Sequence, residues 1–206
     1  MYYYTSDLHF GYERILTLCN RPFATIDEMN EAIIRNFNEI LNKDDILMIL
    51  GDVSCYGVNP AELLSRINGK KVLIAGNHDA EPLHHKSFCK CFVDIREHEI
   101  IRDNNTKIFL HHYPMAEWDG YYKGIWHFYG HVHNSDQGAG FLMNYYPTAV
   151  NVGVDVNDFR PKTAKELMEG HTASLDTLNG MYAEEFVRRA VYVKADDRAG
   201  DKKLNI

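Results

Sequence analysis

The sequence predicts an α/β fold arranged as a four-layered sandwich, with two β-sheets face to face and helices on their outer faces. Three observations predict it. Residues 2–75 alternate strand, helix, strand, helix, strand, which implies a mainly parallel sheet. Further along, apolar runs follow one another without long helices between them, which implies a second sheet, mixed or antiparallel. Finally, several apolar runs end in Asp, Asn or His, at the carboxyl end of a strand, where open α/β sheets hold ligands.

Tyr2 to Ser6 is aromatic and β-favouring and reads as the first strand, ending in Asp7-Leu8-His9-Phe10-Gly11. An irregular segment reaches Ala24, and Thr25 and Glu28 then have the spacing of a capping box. Met29, Ile33, Phe37, Ile40 and Leu41 recur at helical spacing, so residues 26–42 are expected to form an amphipathic helix. Asn42 to Asp45 is a turn, and Ile46 to Leu50 is a buried strand ending in Gly51-Asp52. Pro60 suits the first turn of a helix that runs to Ile67 and is stopped by Asn68-Gly69. Lys71 to Ala75 is a strand that runs into Gly76-Asn77-His78-Asp79. Phe92 to Ile101, Thr106 to His111, Ile125 to Tyr129 and Ala149 to Val152 are expected to build the second sheet. A short helix over Thr163 to Glu169 and another around Tyr182 to Ala190 follow, and Ala195 to Lys203 is expected to fray.

The chain has 206 residues, enough for one large domain with a sizeable core. No apolar run approaches the length that spans a bilayer, and the first residues lack a basic region and apolar signal core, so no export signal is expected. Cys19, Cys55, Cys89 and Cys91 lack zinc-finger spacing, and Cys89 and Cys91, too close for a disulfide framework, read as reduced thiols of a cytoplasmic protein in preference to a metal-binding or redox pair. The formal net charge is -7 and no basic stripe is apparent, which argues against broad nucleic-acid binding.

The polar groups at the strand ends are Asp7 and His9, Asp52, Asn77 and His78, His111 and His112, and His131 and His133. Carboxylate, imidazole and one carbonyl oxygen suit Mn, Fe or Zn at a catalytic site, and the lack of Cys among them argues against a structural zinc site. Asp7-x-His9 and His131-x-His133 have period-2 spacing, which on extended backbone points both side chains one way. Gly51, Gly76 and Gly130 stand before these groups, where backbone must turn or approach closely.

Taken in order, Asp7-Leu8-His9, Gly51-Asp52, Gly76-Asn77-His78-Asp79, a later His and Gly130-His131-Val132-His133 resemble the calcineurin-like metallophosphoesterases. The resemblance spans residues 5 to about 155. Within the family the chain is similar to small bacterial and phage-type phosphoesterases, through Cys19 to Phe23, His112 to Pro114 and Asn151 to Asp155. It implies a four-layer α/β/β/α sandwich of two mixed sheets, with a core over 1–160 and a helical extension over 161–206. It also implies two divalent metal ions, with Asp7, His9 and His133 on one, Asn77, His112 and His131 on the other, and Asp52 between them. The family motif favours His112 over its neighbour His111. Mn, Fe, Zn and Ni all suit these ligands, with Mn the expected metal in assay.

The implied reaction is in-line hydrolysis of a phosphate mono- or diester by a hydroxide shared between the metals. His78 would stabilise the transition state or protonate the leaving oxygen, and Asp79 would orient its imidazole. A small phosphate ester is the expected substrate. A nuclease and a catalytically silent scaffold are the alternatives, the first opposed by the charge and the second by the full ligand set. Protein phosphatases of the family resemble GD-x-x-D-R and GNHE. Here Gly51-Asp52-Val53-Ser54-Cys55-Tyr56 lacks the Asp-Arg pair and Asp79 replaces Glu, so a phosphoprotein substrate is not expected. His84, His85, His98, His127 and His171 read as surface or structural histidines. Trp118, Tyr121, Tyr122, Trp126 and Tyr129 either wall a substrate pocket or pack in the core, and Arg14 and Arg21 either reach a substrate phosphate or form salt bridges.

Overall fold

A computed structural model describes residues 1–178, with side chains to His171. The strands β1 (Tyr2–Thr5), β2 (Ile46–Ile49), β3 (Lys70–Ile74) and β4 (Asp94–Arg96) form one sheet in that order, every pair parallel. The second sheet runs β5 (His98–Asp103), β6 (Thr106–His111), β7 (Trp126–Tyr129) and β8 (Ala149–Asn151). In it β5 is antiparallel to β6, and the remaining pairs are parallel. The antiparallel component of the first sheet is a single bridge from Tyr4 to Lys162 at its edge. The helices are α1 (Ile15–Leu18), α2 (Ile26–Asn38), α3 (Ala61–Ser65), α4 (Lys86–Cys89), α5 (Gly138–Met143) and α6 (Ala164–Leu178). The helix expected around Tyr182–Ala190 and the tail Ala195–Lys203 lie outside the described residues.

Period-2 alternation assigns each strand's two faces. Leu47, Ile49 and Leu73 point outward and pack on Met29, Ile33 and Phe37 of α2 and on Leu64 of α3. Met48, Leu50 and Ile74 point inward and meet Ile108, Leu110, Phe128 and Val150 of the second sheet. Tyr4 belongs to this inter-sheet layer, and its hydroxyl donates to Asp103 Oδ2 at 2.9 Å, so the buried phenol has a partner. The outer face of the second sheet places Phe109, Tyr129 and Ala149 under Trp118 and Met143. Trp118 and Tyr121 therefore serve packing, whereas Tyr122 is 82% exposed.

Besides the short α1 inside the segment expected to be irregular and an α3 that stops at Ser65 before Ile67, three larger differences from the sequence expectation stand out. The α2 helix starts on its capping box, with Glu28 N–H donating to Thr25 Oγ1 and the Glu28 carboxylate accepting from Ala24 N–H. It ends at Asn38, short of residue 42. The Asn38 amide bonds to Arg66 O and Asn68 N–H, and Asn42 N–H donates to Asp45 Oδ2, so tertiary and turn partners replace the last helical turn. The continuous strand expected over Phe92–Ile101 splits at Glu97. Its first part pairs with β3 and its second with β6, so one extended segment crosses from sheet to sheet. The residue pattern shows no break there, and the structure places a bend of the backbone at Glu97 between the two pairings. Lastly, α6 runs to Leu178 rather than Glu169. Its Thr163–Glu166 pair caps the start, with Glu166 N–H donating to Thr163 Oγ1, and Ala164 and Leu167 enter the inter-sheet core. No helix among the described residues is long and apolar enough to cross a membrane.

Because Leu110 is fully buried between the sheets, Leu110→Ala is expected to lower the unfolding free energy by about 2–5 kcal/mol in urea titration. Val93→Ala, at a position 65% exposed, is expected to stay within about 0.5 kcal/mol of the parent.

Candidate metal centre

The carboxyl ends of β1, β2 and β3 and those of β6, β7 and β8 meet at one edge of the sandwich. A parallel bridge from Ser6 to Gly153 ties the two sheets there. The chain turns sharply as it leaves each strand. Asp7, His9, Asp52, His131 and His133 all take positive φ, at 58°, 51°, 54°, 71° and 50°. This left-handed backbone costs each non-glycine residue roughly 1–3 kcal/mol. The paired motifs therefore do not aim their side chains from extended strands, as period-2 spacing implied. Left-handed turns aim them. Gly51 and Gly76 pass so closely that a Cβ on Gly76 would strike the Asp52 carboxylate and stand 2.7 Å from its backbone nitrogen. A Cβ on Gly130 would collide with Ser6 and Asp7.

Two groups of potential donors result. One ligand atom each from Asp7, His9 and His133 lie within 4.8 Å of one another, and so do atoms from Asp52, His112 and His131. Asp52 stands between the groups. Its Oδ2 is 3.7 Å from His9 Nε2, and its Oδ1 is 3.5 Å from His112 Nε2. Asn77 Oδ1 lies 3.0 Å from His112 Nε2 and 3.1 Å from His131 Nδ1. His111 is turned away and meets Tyr113 N–H, so the structure brings His112, and not His111, to the cluster.

The orientation of each imidazole is fixed from behind. His112 Nδ1 lies 2.8 Å from Leu50 O, an acceptor, so Nδ1–H donates and the Nε2 lone pair faces Asp52 and Asn77. His133 Nδ1 donates to Asp155 Oδ2 at 2.8 Å, which turns Nε2 toward Asp7 at 3.9 Å. Both ring nitrogens of the buried His9 lack a hydrogen-bond partner, and burial, reinforced by His133 and Arg21, lowers this imidazole to about 2 and keeps it neutral. Burial also raises the Asp7 carboxyl, against the pull of His133, His112 and the Ser6 hydroxyl. Burial opposes charge on His133, but its hydrogen bonds to Asp155 and Cys19 and the nearby Asp7 lift it to about 10. The Asp7 carboxylate accepts from the Ser6 hydroxyl and His131 N–H and that of Asp52 from His78 N–H, and the partnerless nitrogens of His9 and Nε2 of His112 converge beside them. The donor chemistry fits divalent cations.

Residues behind the cluster matter that strand-end reading passes over. Asp155 accepts from Arg21 Nε at 2.7 Å and from its Nη2 at 2.8 Å, while the same guanidinium donates to Asp7 O and Leu8 O. Arg21 is therefore a buried tie between the first and last loops, not a phosphate-reaching group; Arg14 is exposed at the start of α1. Cys19, His133 and Asp155 also lie close together, but Arg21 already neutralises that carboxylate, which makes it a poor cation site. Tyr113 is a second addition: its ring lies 4.4 Å from that of His131. Its signal was its place within the His112-Tyr113-Pro114 motif.

His78 projects outward, its side chain 41% exposed, with Nε2 4.0 Å from Asp52 Oδ2. Its Nδ1 meets Cys55 Sγ at 3.6 Å. Asp79 does not orient this ring, contrary to the expectation. The Asp79 carboxylate is buried and accepts from the N–H groups of Asp52, Val53 and Gly76, and burial lifts it to about 6 against those three bonds. Its position inside the turn leaves it facing backbone, so it clamps the Asp52 loop to the Asn77 loop. Of the remaining histidines, His127 is buried against Phe109 O and His171 bonds to Tyr146 O, both apart from the cluster.

Residues 2–135 match the calcineurin-like phosphoesterase family. An uncharacterized protein of Methanocaldococcus jannaschii, MJ1445, is 33% identical over 163 residues, covering 77% of this chain and 84% of that protein. A crystal structure of the Aquifex aeolicus protein AQ665, of unknown function, superposes with a TM-score of 0.65 at 26% identity, covering 81% of this chain and 96% of the other. The Pseudomonas putida nuclease MPE superposes with a TM-score of 0.40 at 22% identity, covering 64% of this chain and 61% of that one. The match over most of the core, on the strand ends that carry Asp7, Asp52, Asn77 and His131, makes this chain a member of the calcineurin-like phosphoesterase family, hydrolases that act on phosphate-ester bonds.

Proposed function

We propose that this chain is a dinuclear metal-dependent phosphohydrolase acting on a small phosphate mono- or diester by in-line displacement. The observation that carries the reading is the buried convergence of acceptor atoms around Asp52, with both nitrogens of His9 left without partners. In this reading Asp7, His9 and His133 hold one divalent ion, Asn77, His112 and His131 hold the other, and Asp52 serves both. Mn, Fe, Zn and Ni all suit the donor set, with Mn the metal for assay. Divalent ions there supply Lewis-acid activation of water and neutralise charge on the phosphoryl oxygens.

The chain's own residues do the rest. Asp155 and Arg21 keep His133 Nε2 turned inward. Asp79 fixes the spacing between the Asp52 and Asn77 loops. His78 gives a proton from Nε2 to the leaving oxygen, while Cys55 steadies Nδ1. The net charge of -7 supports a small ester over a nucleic-acid backbone. The free thiols of Cys19, Cys55, Cys89 and Cys91 fit a reducing, cytoplasmic setting. We place the catalytic core at residues 1–160 and read 161–206 as an extension of the same domain, because α6 buries Ala164 and Leu167 in the inter-sheet core.

Treatment with a strong chelator is expected to abolish hydrolysis of bis-p-nitrophenyl phosphate, and added Mn to restore it; full activity in metal-free protein would defeat the proposal. His78→Ala is expected to lower kcat by about 10²–10⁴-fold while elemental analysis finds the metals retained. A parallel loss of metal would instead make His78 a ligand. Arg21→Met strands the buried Asp155 carboxylate and is expected to cost about 3–5 kcal/mol of stability in urea titration.

A further inference from the structure

The imidazoles of the cluster are held in place by different means. His112 leans on Leu50 O and His133 on Asp155, each through its Nδ1. His9 has no such bond but is 1% exposed, so burial confines it. His131 has neither support. Its backbone N–H donates to both oxygens of Asp7, which fixes the main chain and leaves the side chain to turn. Its Nδ1 lies 3.1 Å from Asn77 Oδ1. Among the described residues no hydrogen bond reaches its Nε2, and the residue is only half-buried.

An aromatic ring takes the place of the missing bond. The Tyr113 ring lies 4.4 Å from that of His131, centroid to centroid, tilted by 58°. It also meets the His112 ring edge-on, at 5.1 Å and 74°. One phenol therefore bears on two of the three side chains read as holding the same ion, and among the described residues it makes no ring contact with His9 or His133. Tyr113 is itself braced. Its N–H meets His111 Nδ1 at 3.1 Å, and Pro114 after it steers its backbone away from the helical region. Gly130 N–H donates to His112 O at 2.9 Å, which joins the loop of Tyr113 to that of His131 at their roots. The histidine that stays out of the cluster, His111, thus steadies the residue that packs on it. Among the described residues the Tyr113 hydroxyl makes no hydrogen bond, so the contact is one of shape and needs the ring alone.

We infer that Tyr113 is a positioning residue, whose ring holds the His131 imidazole with Nδ1 beside Asn77 and so sets the affinity of the ion at Asn77, His112 and His131. This control rests on the dinuclear reading of the site, and it acts on one ion and spares the other. Its physical basis is preorganisation: rotamer freedom that the His131 side chain gives up on folding is not charged against binding.

The test is a titration of metal-free protein with Mn²⁺ by calorimetry, with the loaded forms followed by electron paramagnetic resonance. Tyr113→Ala, at a position 41% exposed, is expected to weaken one of the two ions by about 10–100-fold and to leave the other within about twofold of the parent. With Mn²⁺ enough for only the tighter ion, its spectrum is expected to be that of a single ion and to match that of His131→Ala, not that of His9→Ala. Tyr113→Phe keeps the ring and is expected to keep both parent affinities. Hydrolysis of bis-p-nitrophenyl phosphate by Tyr113→Ala should fall at limiting Mn²⁺ and return to the parent rate at saturating Mn²⁺. Unchanged affinities, equal weakening of both ions, a loss in Tyr113→Phe as large as in Tyr113→Ala, or a rate that saturating Mn²⁺ does not repair would overturn the assignment of Tyr113 and leave the dinuclear reading standing. A parent protein that binds a single Mn²⁺ would overturn the dinuclear reading and the assignment with it.

Discussion

The structure depends on the gathering of electron-rich atoms in one small buried space. Asp7 and Asp52 are both nearly fully buried; ring nitrogens of His9 and His112 face Asp52, and that of His133 faces Asp7. Both carboxylates accept hydrogen bonds, Asp7 from Ser6 and His131 and Asp52 from His78, but the two nitrogens of His9 have no partner, and buried polar atoms left so are costly unless a cation or donor meets them. The neighbouring backbone answers to the same demand. Five of the residues that point inward sit in left-handed turns, a conformation few side chains adopt without support.

That support comes from groups that never face the open site. Asp79 gathers three backbone N–H groups and locks two loops against each other. Arg21 joins Asp155 to the carbonyls of Asp7 and Leu8, so the start and the end of the core bear on one guanidinium. Asp155 in turn fixes the orientation of the His133 ring, and Leu50 O that of His112. Outer partners of this kind orient metal-binding histidines and raise their basicity. They also explain why the loops are anchored to strand ends rather than free to adjust.

The sandwich makes this possible at low cost to the core. Alternating residues of β2 serve the helical face and the inter-sheet face, so the strands are satisfied before their ends turn. β6, β7 and β8 lie parallel, as do β1, β2 and β3, and their carboxyl ends open on the same edge. Among the described strands only β5 runs against its neighbour, and it is the second half of the segment that crosses between the sheets. The open side of the cluster then differs from left to right. Tyr113 covers the His131 side, while Tyr12 and Leu18 border the His133 side.

Sequence by itself determined the layers, most strand positions and the polar groups at the strand ends. These follow from local rules, since alternation and helical spacing are set by bond geometry and each motif is contiguous. Thr106–His111 appears as read, and Asp7, His9, Asp52, Asn77, His112, His131 and His133 come together as their order implied. Tertiary structure alone decided the division of residues 92–101 between two sheets, the end of α2 at Asn38, and the direction in which Asp79 and Arg21 point. Each of these turns on a partner far away in the chain. An arginine is drawn inward only once Asp155 and two carbonyls stand near it, and a carboxylate faces backbone only once the turn around it has closed. Left-handed turns that aim side chains, unlike extended strands, leave no periodic trace in the residues themselves.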